Sequence, residues 1–244
     1  MAWTLLNEFI HGDCMDYMKD MPDNAFDLAI VDPPYGIGED GGRFRDRKGG
    51  GHRVLPKKNW DNERPGKSYF SELIRVSRNQ IVWGGNYFAD LLPASRGWIY
   101  WDKLMGGDFS DGELAWTSFD MVLRKFTFCN KYHGKIHPTE KPIALYKWLL
   151  KNYAKPGDKI LDTHVGSASS LIACHQMGFE YLGFEIDEEY YNKAKKRLDE
   201  VKAQQTIFGL EGGFEIDEEY YNKAKKRLDE VKAQQTIFGL EGLK

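Results

Sequence analysis

The chain has 244 residues, 41% hydrophobic and 29% charged, which suits one sizeable α/β domain with a small insertion. A formal net charge of −3 excludes a uniformly basic nucleic-acid coat, so any grip on nucleic acid must come from local positive charge. No apolar run is long enough for a bilayer, and Met1 to Gly12 lacks a signal-peptide pattern. Cys14, Cys129 and Cys174 fit neither a disulfide framework nor a zinc site, so a cytoplasmic protein with free thiols and no metal is expected.

Thr4 to His11 reads as a short strand, and a helix follows from about Met15. Phe26 to Val31 is a compact apolar run ending at Asp32, the pattern of a buried strand in a parallel sheet. Residues 36–66 are rich in Gly, Arg and Lys and read as a long basic loop. Ser68 to Val76 is helical and Gln80 to Trp83 a strand, broken by Gly84, Gly85 and Asn86. Trp98 to Trp101 is another strand. Residues 103–134 lose the α/β rhythm. They contain an expected strand pair, Glu113–Trp116 with Met121–Phe128, and read as an inserted recognition segment. Then come a helix over Pro142–Tyr153, a turn at Pro156-Gly157-Asp158, a strand over Lys159–Leu161, a helix over Leu171–Met177 and a strand over Tyr181–Glu185. Strands alternating with helices predict a mostly parallel, doubly wound sheet, in which ligands sit outside the carboxyl ends of the strands. Asp32, Asp162 and Glu185 all fall at such ends.

Residues 183–212 and 213–242 are identical letter for letter. Solenoid repeats drift in sequence and come in threes or more, so a single identical pair reads as a duplication rather than a fold-defining repeat. Each copy begins with Gly-Phe-Glu-Ile and continues as a charged helix; Tyr191, Ala194, Leu198 and Val201 share one face of the first. One slot can take one copy. The expectation is a domain over 1–212, with 213–244 appended or swapped.

Asp32-Pro33-Pro34-Tyr35 has a physical logic. The prolines hold the preceding residues extended and have no N–H to continue a sheet. The Asp32 carboxylate and the Pro33 carbonyl then make two acceptors, and an amino group offers two donors. Tyr35 adds a flat surface on which an extruded base can stack. Further on, Asp162-Thr163-His164-Val165-Gly166-Ser167 is strand end, acid and Gly turn before a helix, where backbone N–H groups can meet a cofactor. Glu185 ends the next strand, placed to accept from both hydroxyls of a ribose. No Walker lysine follows the turn, which argues against a nucleotide triphosphatase.

Together these residues resemble the amino-methyltransferases of DNA, in the group whose catalytic motif precedes the cofactor motif. The likeness covers about residues 5–205. Asp32 to Tyr35 matches the family's Asp/Asn/Ser-Pro-Pro-Tyr/Phe/Trp, and His137-Pro138-Thr139-Glu140-Lys141-Pro142 matches its His-Pro-Thr-x-Lys-Pro. The resemblance implies a Rossmann-like methyltransferase fold and S-adenosylmethionine as cofactor, with S-adenosylhomocysteine as product. It implies that Asp32, Pro33, Pro34 and Tyr35 form the catalytic turn. It places Asp13 at the cofactor adenine and Glu185 at its ribose. Asp32, Asp162, His164, Gly166 and Ser167 would line the methionine end, with Thr139 and Lys141 nearby. Where the family has Asp-Pro-Phe-x-Gly-Ser-Gly-Thr, this chain departs, with His164 for an aromatic residue and Ala168 for the second Gly. His164 is read as a packing or hydrogen-bonding imidazole, since direct transfer requires no general base there.

Arg43, Arg45, Arg47, Lys48, Arg53, Lys57 and Lys58 follow the catalytic turn against a single acid, Asp46, and are candidate phosphate contacts on double-stranded DNA. The short recognition segment is compatible with a homodimer. The first residue of the turn favours adenine N6 as the target. Cytosine N4, where the family usually has Ser, stays open, as do RNA and a non-catalytic DNA-binding relative. A protein glutamine, where Asn is preferred, fits the basic loop poorly.

Overall fold

The computed structural model describes residues 5–38, 40, 57–104, 110–129 and 136–204, and the backbone of 42–44, 53–55 and 205–210. By its internal contacts, Met1–Val201 makes one unit and Lys202–Lys244 a second. The strands are β1 (Glu8–His11), β2 (Phe26–Val31), β3 (Gly42–Phe44), β4 (Arg53–Leu55), β5 (Ser77–Trp83), β6 (Trp98–Asp102), β7 (Gly112–Thr117), β8 (Arg124–Thr127), β9 (Lys159–Asp162) and β10 (Glu180–Glu185). The α-helices are α1 (Cys14–Met18), α2 (Lys67–Val76), α3 (Ile143–Tyr153), α4 (Ser169–Met177) and α5 (Glu188–Leu210).

Among the described residues eight strands form one sheet, in the order β1-β10-β9-β2-β5-β7-β6-β8. Pairing is parallel from β1 through β5; β7 runs against both of its neighbours, and β8 is parallel to β6. Side chains alternate between two layers, as a strand period of two dictates. Leu28, Ile30, Ile81, Trp83 and Ile160 pack in one core with Leu145, Leu149 and Leu171. Ala29, Val31, Val82 and Leu161 pack in the other with Tyr69, Phe70 and Leu73. Both faces are therefore covered, which is why β2 reads as an unbroken apolar run. The sheet is the Rossmann-like α/β arrangement expected of a methyltransferase.

The topology selects the place for a ligand. From β2 the chain moves to β5 on one side, and from β9 to β10 on the other. The crevice outside the carboxyl ends of β2 and β9 is the switch point of a doubly wound sheet. Asp32 follows β2 and Asp162 ends β9.

Two expectations are corrected. Glu113–Trp116 and Met121–Phe128 do not pair with each other. The first lies in β7, inserted between β5 and β6, and the second includes β8, outside β6. Trp116 sits at 3% exposure between the layers, and burying such a surface requires a central position in the sheet. The region read as a long loop contains an antiparallel pair, β3 with β4. β1 begins at Glu8 within the expected Thr4–His11 strand, and Thr4 lies outside the described residues.

Candidate active site

Asp32 leaves β2 with its backbone held extended by Pro33, and its carboxylate is gripped from two directions. The Tyr35 hydroxyl donates to Oδ1 at 2.6 Å, and Lys141 Nζ donates to Oδ2 at 2.5 Å. Lys141 is 2% exposed, so its ammonium needs counter-charge. It finds a second carboxylate in Glu113 of β7, 3.0 Å away, and Lys103 closes on the other Glu113 oxygen. A row of alternating charge results: Asp32, Lys141, Glu113, Lys103. Burial raises the Asp32 pKa; Lys141 opposes this and Glu113 adds to it. Burial likewise pushes against the charge on Lys141, but Asp32 and Glu113 outweigh it and raise its pKa. In Glu113 burial is outweighed by Lys141 and Lys103, and its pKa falls.

The turn after Asp32 is fastened by a residue the sequence did not flag. Asp61 accepts from Gly36 N at 2.8 Å, and its own carbonyl accepts from Gly38 N at 3.0 Å. The Tyr35 ring stacks on Tyr87, with centroids 4.8 Å apart and planes 14° apart, and its edge meets Phe88. Tyr87 is 39% exposed, so the aromatic surface expected of Tyr35 is a pair of rings open on the Tyr87 side.

The residues expected to meet a cofactor gather at the ends of β1, β9 and β10. Glu185 accepts from Gly166 N and from Asp187 N, each at 2.9 Å, one bond per oxygen. A carboxylate has about four acceptor positions, so a lone pair on each oxygen remains for the two hydroxyls of a ribose. Burial raises the Glu185 pKa, against the backbone bonds from Asp187 and Gly166. Asp162 accepts from His164 N at 3.0 Å and from Ser170 Oγ at 2.5 Å, and burial pushes its pKa up to about 7. Two acids with spare acceptor positions at neighbouring strand ends suit a ligand with a ribose diol and a positively charged end.

Gly166 (φ +56°) and Ala168 (φ +63°) both take the left-handed conformation. The family's second Gly thus corresponds to a position that needs positive φ, which Ala168 adopts without the freedom of glycine. Ser167 shares a bond with Ser169 at 3.0 Å, and its carbonyl accepts from Arg197 at 2.8 Å. The His164 ring meets Tyr69 edge-on and shares a 2.9 Å bond with Thr163 Oγ1; burial lowers its pKa to about 4. At neutral pH it is an uncharged packing imidazole. Asp13 caps α1 by accepting from Met15 N at 2.9 Å, and next to it Gly12 N donates to the Glu185 carbonyl.

Thr139 and Lys141 part company. Thr139 Oγ1 is 3.1 Å from His137 Nδ1, and the His137 ring packs over Gly166, beside the cofactor turn. Lys141 stands at Asp32, where its charge is compensated. Lys58, expected at DNA phosphate, is 2.7 Å from both oxygens of Asp187 and 2.9 Å from Glu189. Burial disfavours its charge, but these acids outweigh it and raise its pKa. Lys57 is exposed. Arg43 and Arg53 are in β3 and β4, whose backbone alone is described. Arg45, Arg47 and Lys48 lie outside the described residues. Sequence reasoning missed Glu113, Tyr87 and Asp61. The one signal for Glu113 is an acid opening an otherwise apolar strand, Gly-Glu-Leu-Ala-Trp.

Residues 82–196 match the N6_N4_Mtase family model, described as DNA methylase. YubD of Escherichia coli (strain K12), named as a methylase, is 27% identical over 219 residues, 81% of this chain and 92% of its own. Two solved structures share the fold. The M1.HpyAVI–SAM complex has a TM-score of 0.53 at 19% identity, over 78% of this chain and 98% of its own. The cytosine-N4-specific PvuII DNA methyltransferase has a TM-score of 0.53 at 12% identity, over 80% and 90%. Among the described residues no helix is long and apolar enough to cross a membrane. A paired-acceptor turn at one strand end and acids at the next two accompany this likeness to the N6/N4 DNA methylases, which the family model carries over residues 82–196.

Proposed function

We propose that the protein methylates adenine at N6 in double-stranded DNA, by direct transfer to a base turned out of the helix. The observation that carries this reading is the half-buried Asp32, with its charge compensated and Pro33 next to it, where the family's cytosine-N4 members usually have Ser. One acceptor of Asp32 and the Pro33 carbonyl hold the two amine N–H groups and direct the nitrogen lone pair. S-adenosylmethionine supplies an electrophilic methyl group. Asp162 and Glu185 hold the cofactor's charged and ribose ends, and Gly166 keeps the backbone close to it. The Tyr35–Tyr87 pair receives the base by stacking. Positioning and charge placement do most of the work. Basic residues after the catalytic turn, Lys57 among them, meet the phosphates, whereas Lys58 serves the cofactor side.

The test is incubation of the full chain with unmethylated genomic DNA and S-adenosylmethionine, followed by digestion to nucleosides and mass spectrometry. N6-methyladenosine is expected, and none with Asp32→Ala, which should still bind the cofactor. N4-methylcytosine would move the assignment to the other base. An Asp32→Ala protein that still methylates would remove the turn from the mechanism.

A further inference from the structure

The charge row does not end at the catalytic turn, and its far half has no part in binding base or cofactor. Lys141 is shared: its ammonium lies 2.5 Å from Asp32 and 3.0 Å from Glu113, above the rings of Trp83 (5.4 Å) and Tyr35 (5.8 Å). Glu113 is held on its other oxygen by Lys103, which rests over Trp101. Glu113 and Trp101 are register partners across β6 and β7, so sheet pairing sets the position of the carboxylate.

We propose that Glu113 is a positioning residue for methyl transfer: it shares Lys141 with Asp32, fixes the Asp32 carboxylate toward the base, and keeps it basic enough to take the amine proton. This rests on reading Asp32 as the group that holds the amine. The base nitrogen forms its bond to the methyl carbon while the sulfur–carbon bond breaks, its electron pair staying on sulfur. The nitrogen then carries a positive charge and two hydrogens. One proton passes to Asp32, leaving a neutral secondary amine and a protonated carboxyl, which gives its proton to water after product leaves.

A lysine paired with Asp32 alone would weaken it as an acceptor, because an adjacent ammonium favours the ionised carboxylate. A second carboxylate on the same ammonium offsets that effect. The groups that face Asp32 come from several elements: Lys141 ahead of α3, Tyr35 in its own turn, Glu113 on β7, Asp162 on β9, Tyr69 on α2 and Tyr146 on α3. Of these, Glu113 is bound to Lys141 and absent from the two ligand sites, so it can be changed without removing a ligand contact.

The experiment follows the Asp32 carboxyl by carbon-13 NMR titration of the full chain labelled at aspartate, beside steady-state kinetics on genomic DNA. In Glu113→Gln the Asp32 midpoint should fall by about one pH unit. kcat should drop about tenfold with the KM for S-adenosylmethionine within about twofold, and the acid limb of the kcat profile should move with the midpoint. Lys103→Met removes a positive charge from the same row and should move the midpoint the other way, by less. An unmoved midpoint in folded Glu113→Gln, or shifts of the same sign in both variants, would overturn the role. A kcat loss with a fixed acid limb would also overturn it, leaving Glu113 as packing. The titration needs no turnover, so wild-type protein that methylates no base would refute the proposed reaction and leave this measurement readable.

Discussion

Tyr35 fits against Gly84 with no room for a methyl group: a Cβ at Gly84 would collide with the Tyr35 ring at Cε1, Cδ1 and Cζ. Gly84 also sits at φ +68°, where an L side chain is strained. Gly84→Ala should therefore push Tyr35 off Tyr87 and break its bond to Asp32. We expect a loss of stability of about 1–2 kcal/mol and a fall in kcat of at least about tenfold. Thermal unfolding and steady-state rates check both, and wild-type kcat would show that the ring's place is not needed for transfer.

Lys58 and Lys57 should separate in their effects. Lys58 is engaged by Asp187 and Glu189, and Asp187 N in turn donates to Glu185. Lys58→Ala should weaken S-adenosylmethionine binding by about 1 kcal/mol and leave the salt dependence of DNA binding unchanged. Lys57→Ala should leave cofactor affinity alone and reduce the slope of log K against log salt by about 1. Calorimetry with the cofactor and DNA binding at several salt concentrations measure the two quantities, and a reversed pattern would return Lys58 to the DNA contacts.

The raised pKa of Asp162, to about 7, predicts a pH dependence with a definite sign. Asp162 binds its proton more tightly in the folded chain than in the unfolded one. Stability therefore falls as pH rises from the ordinary carboxylate range near about 4 to about 7, and is level above. A cation next to Asp162 favours the ionised form, so cofactor binding should release a proton near pH 6–7. Affinity should then rise by up to about tenfold per pH unit below about 7. Calorimetry in buffers of different ionisation enthalpy counts the proton. Asp162→Asn should flatten the profile, and a wild-type profile already flat would contradict the placement of the charged end.

The duplicated segment gives the simplest variant. The two copies are identical, so removing either leaves the same polypeptide. The first copy supplies Glu185, Asp187 and Arg197 to the site and buries Tyr190, Ala194 and Leu198. The residues just before the repeat favour that copy: Tyr181 and Leu182 are 1% and 0% exposed, whereas Glu211 and Gly212 precede the second. Exchanging them would forfeit about 1.5–3 kcal/mol of burial for each large side chain. Deletion of 213–242 should leave the unfolding midpoint and kcat near those of the full chain. A folded but inactive truncation would give the second copy a function.

Local patterns made much of this legible. β2 spans Phe26 to Val31 as read, because an apolar run buried on both faces and stopped by prolines admits one interpretation. The acids at Asp32, Asp162 and Glu185 were placed by strand ends alone. What could not be read was pairing between distant segments. Lys141 lies 109 positions from Asp32 and Lys58 lies 129 from Asp187, and periodicity carries no information at that range. The strand pair expected within 103–134 went wrong for the same reason, since proximity along the chain suggested a hairpin where β7 had inserted beside β5. Lys58 was grouped with its neighbours by charge, although a cation next to a pair of acids goes to them first.

The double pairing of β7 limits how this protein can acquire a new target sequence. The segment that reads as the discriminating part contains a strand hydrogen-bonded on both edges, with Glu113 and Trp116 on it. Replacing 103–134 as a block would open the sheet and take from Lys141 one of its two carboxylate partners. A graft into this segment must splice on either side of Gly112–Thr117 and keep that strand native, so a recognition element there would not be a detachable cassette.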